Sequence, residues 1–168
     1  MRKNRKRVFV MAFVVVMAFS AWYGSLKPTN DRVWAEHFVY DQKTEVLPTG
    51  EIQVAPVRDW TYKKGEVTSR DWIPEVAVDP QRLVRAWFLL EPFPDWQAVG
   101  HTYLTFEFED GTALSFSVEA RMEVGEKYSA LKGLFKKYEL AYTWGTERDF
   151  LTRRLLFLDH SLHMYPLN

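Results

Sequence analysis

The 168-residue sequence contains no cysteine. That absence excludes disulfide bonds, thiolate metal sites, lipidation at an N-terminal cysteine and a cysteine nucleophile supplied by these residues. The first 26 residues hold no acidic side chain, and beyond them no basic stripe runs along the chain, so a nucleic-acid partner is excluded. Internal repeats and low-complexity tracts are absent too. What the N-terminus does hold is five cations, Arg2, Lys3, Arg5, Lys6 and Arg7, followed by residues 8–26 without a charge. Setting residues 1–26 aside leaves 17 basic side chains against all 22 acidic ones, a net charge of −5.

The uncharged run reads as a helix that nearly crosses a bilayer, at about 1.5 Å per residue against about 30 Å of hydrocarbon. Lys and Arg stay on the cytoplasmic side, which orients the rest of the chain outward and puts Trp22 and Tyr23 at the outer interface. The expected organisation is a basic tail at 1–7, a transmembrane signal anchor at 8–26 and one extracytoplasmic domain at 27–168. A cleaved signal peptide is the alternative, because Ala18-Phe19-Ser20 offers small residues where a signal peptidase reads. The run is longer than the usual apolar core of about 7–15 residues, which favours the anchor. Either way the domain is exported.

Residues 24–30 carry Gly24, Pro28 and Asn30 and read as a short tether. Glu51-Ile52-Gln53-Val54-Ala55-Pro56-Val57 alternates like a half-exposed strand that Pro56 confines to an edge or ends. Asp79-Pro80 is an N-cap with proline at the first helical position. Ala86-Trp87-Phe88-Leu89-Leu90 is a strand-length apolar run. Residues 101–109 alternate with period two, Asp110-Gly111 supplies a tight turn, and residues 112–119 return as the paired strand. In that alternation Leu104, Phe106 and Phe108 form the apolar face, while His101 heads a more polar one with Tyr103, Thr105 and Glu107. Residues 129–140 have helical spacing, with Leu131, Leu134, Phe135 and Tyr138 on one stripe. A short strand at 141–144, a helix at 146–157 capped by Thr146, and a last strand at 162–167 complete the pattern. Seven Trp, eight Tyr and twelve Phe suit an aromatic-packed β-rich core. The fold class expected is α+β, an antiparallel sheet centred on 86–90, 101–109 and 112–119 with two flanking helices.

Several short elements in a fixed order carry a family resemblance: Val57-Arg58-Asp59-Trp60, Gly100-His101-Thr102, Phe106-Glu107-Phe108-Glu109-Asp110-Gly111, Ser117-Val118-Glu119-Ala120-Arg121, Gly125-Glu126-Lys127-Tyr128-Ser129, Gly133-Leu134-Phe135, Tyr138-Glu139-Leu140, Glu147-Arg148-Asp149 and Tyr165-Pro166-Leu167. Over about residues 30–168 the chain resembles the Lnb N-terminal periplasmic domain family. The resemblance implies part of a circularly permuted papain-like, NlpC-type fold, in which the histidine precedes the nucleophilic cysteine, and acyl transfer to bacterial lipoproteins as the associated activity. It also implies a Gram-negative periplasm, so the expected location is the inner membrane, single-pass, with the domain in the periplasm. In the family pattern a downstream Asn-Asn-Cys-Thr type motif follows the histidine, and no such segment occurs before Asn168.

A Cys–His pair needs an imidazole that takes the thiol proton and a third group that fixes the ring's tautomer. The candidates are His101 as base and Glu119, on the partner strand, as the orienting carboxylate. The competing reading makes His101 an ordinary strand-end histidine and Glu119 a solvated acid. Arg121 and Glu126 are candidates either for a lipid phosphate or for an ion pair that orders residues 122–129. His37, His160 and His163 read as structural, since the spacing of His160 and His163 on an extended segment puts them on opposite faces. Ser117 and Ser129 lack the strained elbow of a serine nucleophile. No cofactor and no metal is expected. The expected partners are the membrane, a lipid or lipoprotein, and a separate chain supplying the cysteine half. A non-catalytic envelope interaction module is the alternative function.

Overall fold

The computed structural model describes residues 2–93 and 96–167. Of the expected basic tail at 1–7, Met1 lies outside the described residues. The chain divides into two compact units, Met1–Ala35 with Ala120–Glu139, and Glu36–Glu119 with Leu140–Asn168.

In the first unit, helix α1 spans Arg2–Ser25, and its stretch Lys6–Ser25 is long and apolar enough to cross a membrane, with none of it buried. Past the helix, residues 26–30 of the expected tether hold no helix or strand, and the segment is pinned by side-chain contacts. The Thr29 N–H donates to Glu139 at 2.6 Å, and Arg32 bridges Glu123 and Glu139 at 3.2 and 3.6 Å. Trp34 pairs with Glu123 in an isolated antiparallel bridge. The helix expected over 129–140 is real only at its start. Ser129 caps α2, Ala130–Leu134, which stops after five residues. Lys136 then takes a left-handed φ of 54°, which ends any helix, and a strand begins at Glu139. The stripe of Leu131, Leu134 and Phe135 is therefore exposed, not core.

The second unit is built on a seven-stranded sheet in the order β10-β6-β7-β8-β9-β3-β4 and a three-stranded sheet in the order β1-β2-β5. The strands are β1 Lys43–Val46, β2 Ile52–Ala55, β3 Val57–Lys63, β4 Glu66–Ile73, β5 Val76–Val78, β6 Leu83–Phe93, β7 Trp96–Phe108, β8 Ala113–Arg121, β9 Glu139–Thr146 and β10 His163–Leu167. Pairing is antiparallel for β1 with β2, β2 with β5, β10 with β6, β6 with β7, β7 with β8 and β3 with β4, whereas β3 meets β9 in parallel at Arg58 and Gly145. Pro56 ends β2, but β2 is the middle strand of its sheet, not an edge. Asp79 caps a short 3-10 turn, Pro80–Arg82, by accepting from the Gln81 N–H. The Asp110-Gly111 turn is present: Gly111 has φ 86°, which only glycine adopts at little cost, and its N–H donates to Phe108 O at 3.0 Å.

Both faces of the β7–β8 hairpin are covered, and the burial differs from the sequence reading. Leu114 and Phe108 pack with Val54, Val57 and Val78 on one side. The supposedly polar side is the deeper one: Tyr103, Thr105, Ser115 and Ser117 are all buried. There the short helix α3, Glu147–Thr152, lays Phe150 against Tyr103 and Leu89, and the Thr105 and Ser115 hydroxyls satisfy each other across the strands at 2.7 Å. The expected helix at 146–157 changes character partway, since Arg153–Phe157 is a π-helical turn.

Candidate active site

The site begins with backbone geometry. Gly100 sits opposite Pro92, next to a register shift in the β6–β7 ladder, and a Cβ there would lie 2.7 Å from the Glu91 carbonyl oxygen. Glycine lets β7 approach β6 closely at this point. The next residue, His101, pairs with Glu91 across that ladder. On its other side the register Tyr103↔Ser117, continued by two residues, brings His101 level with Glu119. Three adjacent strands thus present Glu91, His101 and Glu119 in one row on the face under α3.

The two sequence-derived candidates are together. His101 Nε2 lies 3.2 Å from Glu119 Oε1 and 2.7 Å from Ser117 Oγ. Among the described residues no hydrogen bond reaches its Nδ1. A cleft of about 410 Å³ touches His101 and Ser117, but Phe88, Thr102, Leu104, Phe116 and Val118, which line most of the rest of it, alternate onto the opposite face of the sheet.

Arg154, delivered by the π turn, ties the row together. Its Nη2 donates to Glu119 Oε1 at 3.1 Å, its Nε to Glu91 Oε2 at 2.9 Å and its Nη1 to Phe150 O at 3.2 Å. The guanidinium also lies over the Tyr103 ring, 4.2 Å from its centroid. His160 Nδ1 hydrogen-bonds the second oxygen of Glu91, so His160 is part of this network and not an incidental turn residue. His163 is exposed in β10. Among the described residues no group of three potential ligands is arranged to hold a metal ion.

Burial alone would raise the Glu119 pKa, but the His101 hydrogen bond and charge, with Arg154 and Arg153 nearby, hold it well below the usual carboxylate range. An ionised Glu119 fixes the ring chemistry. A carboxylate oxygen 3.2 Å from Nε2 is attractive only if that nitrogen carries the proton, so the neutral ring keeps its lone pair on Nδ1. The same reasoning disarms Ser117. Its oxygen faces an N–H, not a basic lone pair, and the residue is 1% exposed.

A second cluster joins β3 to α3. Arg58 donates from Nε and Nη2 to the two oxygens of Asp149 at 2.8 and 3.1 Å, and the Trp60 N–H reaches Asp149 at 3.0 Å. Asp59 accepts from Thr146, the cap of α3, at 2.6 Å and from Arg148 at 2.7 Å. Burial pulls the Arg58 pKa down, but Asp149 outweighs it and the net shift is upward. Tyr62, buried and beside Asp149, is pushed up to about 12. Beside this cluster the His37 ring lies tilted against Phe38 with its Nε2 enclosed and unpartnered, and its pKa is lowered to about 3, first by burial and then by Arg153 and Arg58.

Arg121 and Glu126 belong to the other unit. Arg121 is 7% exposed, donates to Asn30 Oδ1 at 2.7 Å and lies 4.2 Å over Trp34. Glu126 pairs with Lys137 at 2.8 Å and accepts the Glu123 N–H at 2.9 Å. Glu126 thus ties its own loop together, whereas Arg121 is held to Asn30 and Trp34, outside that loop.

The described residues thus combine an apolar helix of membrane-spanning length with a mostly antiparallel, mixed sheet and few helices. The model of the family described as the Lnb N-terminal periplasmic domain matches residues 68–168, more than half of the chain, and the chain belongs to that family. The matched segment starts in β4, so it includes His101, Glu119 and Arg154, while the Val57-Arg58-Asp59-Trp60 element precedes it. No curated protein and no solved structure matches the chain. A periplasmic-domain family and an apolar N-terminal helix together fit a membrane-anchored protein.

Proposed function

We propose that this chain is the base-bearing part of a membrane-anchored, papain-like periplasmic protein that transfers or hydrolyses acyl groups, related to lipoprotein N-acyltransferases and seated in the inner membrane by a single span. His101 is the general base, acting through Nδ1, and Glu119 orients the ring by holding Nε2–H. The thiol comes from outside these 168 residues, either from further along the polypeptide or from a separate chain. The observation that carries this reading is the placement of Ser117 and Glu119 on Nε2 while Nδ1 remains open, the polarity a thiol–imidazole pair needs. Lipids or lipoproteins are the acyl donors and acceptors that a membrane-anchored site of this kind meets.

The test is made in cells that express the full chain together with its cysteine-bearing counterpart. Mass spectrometry of lipoprotein N-termini and of lysophospholipid should register an acyl-transfer or hydrolysis product that disappears with His101→Ala and falls by about 10²-fold or more with Glu119→Gln. The purified chain alone should be inactive. Turnover by the chain alone that is lost in His101→Ala would overturn the proposal and point back to Ser117. The second reading, a non-catalytic envelope module, is favoured by two observations: the hydroxyl nearest His101 is buried, and these residues include no cysteine. It predicts that no lipid product changes in either variant.

A further inference from the structure

The first unit carries an apolar surface that the proposed chemistry does not use. Leu131 and Leu134, one helical turn apart on α2, are 67% and 71% exposed, and Val124, Tyr128 and Phe135 are exposed around them. Residues of such size are normally buried, and clustered exposure marks a binding surface. Its position relative to α1 says what covers it. Phe135 packs edge-on against Phe19 at 6.4 Å, and Lys136 Nζ donates to Tyr23 O at 3.1 Å while lying 4.2 Å over the Tyr23 ring. Phe19 is six residues before the end of the helix, about 9 Å at 1.5 Å per residue, which is the depth reached by helices lying in a membrane interface.

We propose that residues 124–137 form a wedge that dips into the leaflet from which α1 emerges, with Leu131, Leu134 and Phe135 among the upper acyl chains. The charges match that occupant. Lys127 and Lys132 are exposed and have no ion-pair partner among the described residues, and long lysine side chains reach up from an apolar surface to phosphate. An open groove of about 530 Å³ has Trp22, Leu26 and Phe135 as an apolar wall beside Lys132, Lys136 and Lys137, and its one carboxylate, Glu123, is paired with Arg32, so the groove offers a phospholipid a net positive rim. The inference rests on the membrane-anchored reading but not on any catalytic role.

The absence of native cysteine makes the test clean. The full chain carrying Leu131→Cys or Leu134→Cys is labelled with an environment-sensitive nitrobenzoxadiazole dye and reconstituted into vesicles of phosphatidylcholine and phosphatidylglycerol. Both sites are exposed, so neither change threatens folding. The dye should emit at shorter wavelength than the same dye on free cysteine added to the vesicles, and lipids brominated on their acyl chains should quench it. Water-like, unquenched emission at both positions, with the chain still in the alkaline-carbonate pellet, would overturn the wedge while leaving the anchor intact. Release of the chain by carbonate would overturn both.

Discussion

The Arg58 and His101 clusters both join a sheet strand to the segment 147–157, yet they leave their polar atoms in different states. Asp149 is fully buried and has Arg58, the Trp60 N–H and its own helix cap around it. Glu119 and His101 keep 17% and 20% of their side chains exposed, and among the described residues no hydrogen bond reaches Nδ1 of the ring. A saturated, enclosed ion pair holds two elements together. A partly exposed pair with one ring nitrogen left over is what the proposed general base requires. The sharpest way to break this comparison is Asp149→Asn, which leaves the Arg58 charge buried without its partner and should cost about 3–5 kcal/mol in denaturant unfolding. Glu119→Gln should cost less, because Arg154 retains Glu91. Equal losses from the two substitutions would show that both clusters are structural.

Between these extremes lies the backbone that sets the His101 row. Gly100→Ala puts a methyl group 2.7 Å from the Glu91 carbonyl oxygen and 2.9 Å from the Leu90 side chain, and the first of these is backbone that cannot rotate aside. The expected loss is about 1–3 kcal/mol, together with a changed His101 imidazole signal in the NMR spectrum as β6 and β7 move apart. Alanine at Gly111 meets nothing within 4 Å and is penalised only by its φ of 86°, so it should leave the His101 signal alone. A His101 spectrum that responds alike to both changes would detach the site from its strand geometry.

Much of this row is readable from the chain. A two-residue turn at Asp110-Gly111 would set His101 opposite Ala120; the loop instead spans residues 109–111, with the Phe108 N–H donating to Thr112 O, and this one-residue shift brings His101 level with Glu119. Alternation and turn chemistry are local signals, so β7 and β8 emerge nearly as expected. Arg154 and Glu91 are not readable in the same way. Glu91 enters through a register set by a bulge, and Arg154 through a π turn that rotates it out of the helical pattern its neighbours predict. The Arg58–Asp149 pair was visible only as two motifs 91 residues apart with no signal linking them. The polar face of β7 misled because Thr105 and Ser115 satisfy each other, which makes a face of hydroxyls as easy to bury as an apolar one. At 129–140 helical spacing stood for a surface, since an apolar stripe fits a membrane interface as well as a core.

The gentlest probe of the comparison is pH, acting on His37 at the edge of the enclosed cluster. Its folded pKa of about 3 lies below its ordinary value of 6.5, chiefly through burial, with Arg153 and Arg58 adding to the depression and Glu119 opposing it. As pH falls, the unfolded chain therefore takes up this proton first. The stability His37 contributes is complete above about pH 6.5 and drains away toward pH 3. Between pH 7 and 5.5 the loss should be about 1 kcal/mol. Glu119 gives way in the same direction, but from the ordinary carboxylate value of about 4.5 downward, below that window. His37→Phe removes the titrating group together with its unpartnered Nε2, so the variant should be at least as stable at pH 7 and should unfold with a flatter pH dependence. Thermal melts of the two proteins in detergent between pH 5.5 and 7.5 measure this. An unchanged slope in His37→Phe would mean that His37 is open enough to protonate in the folded chain, and the Arg58 cluster would then be less enclosed than its Asp149 core implies.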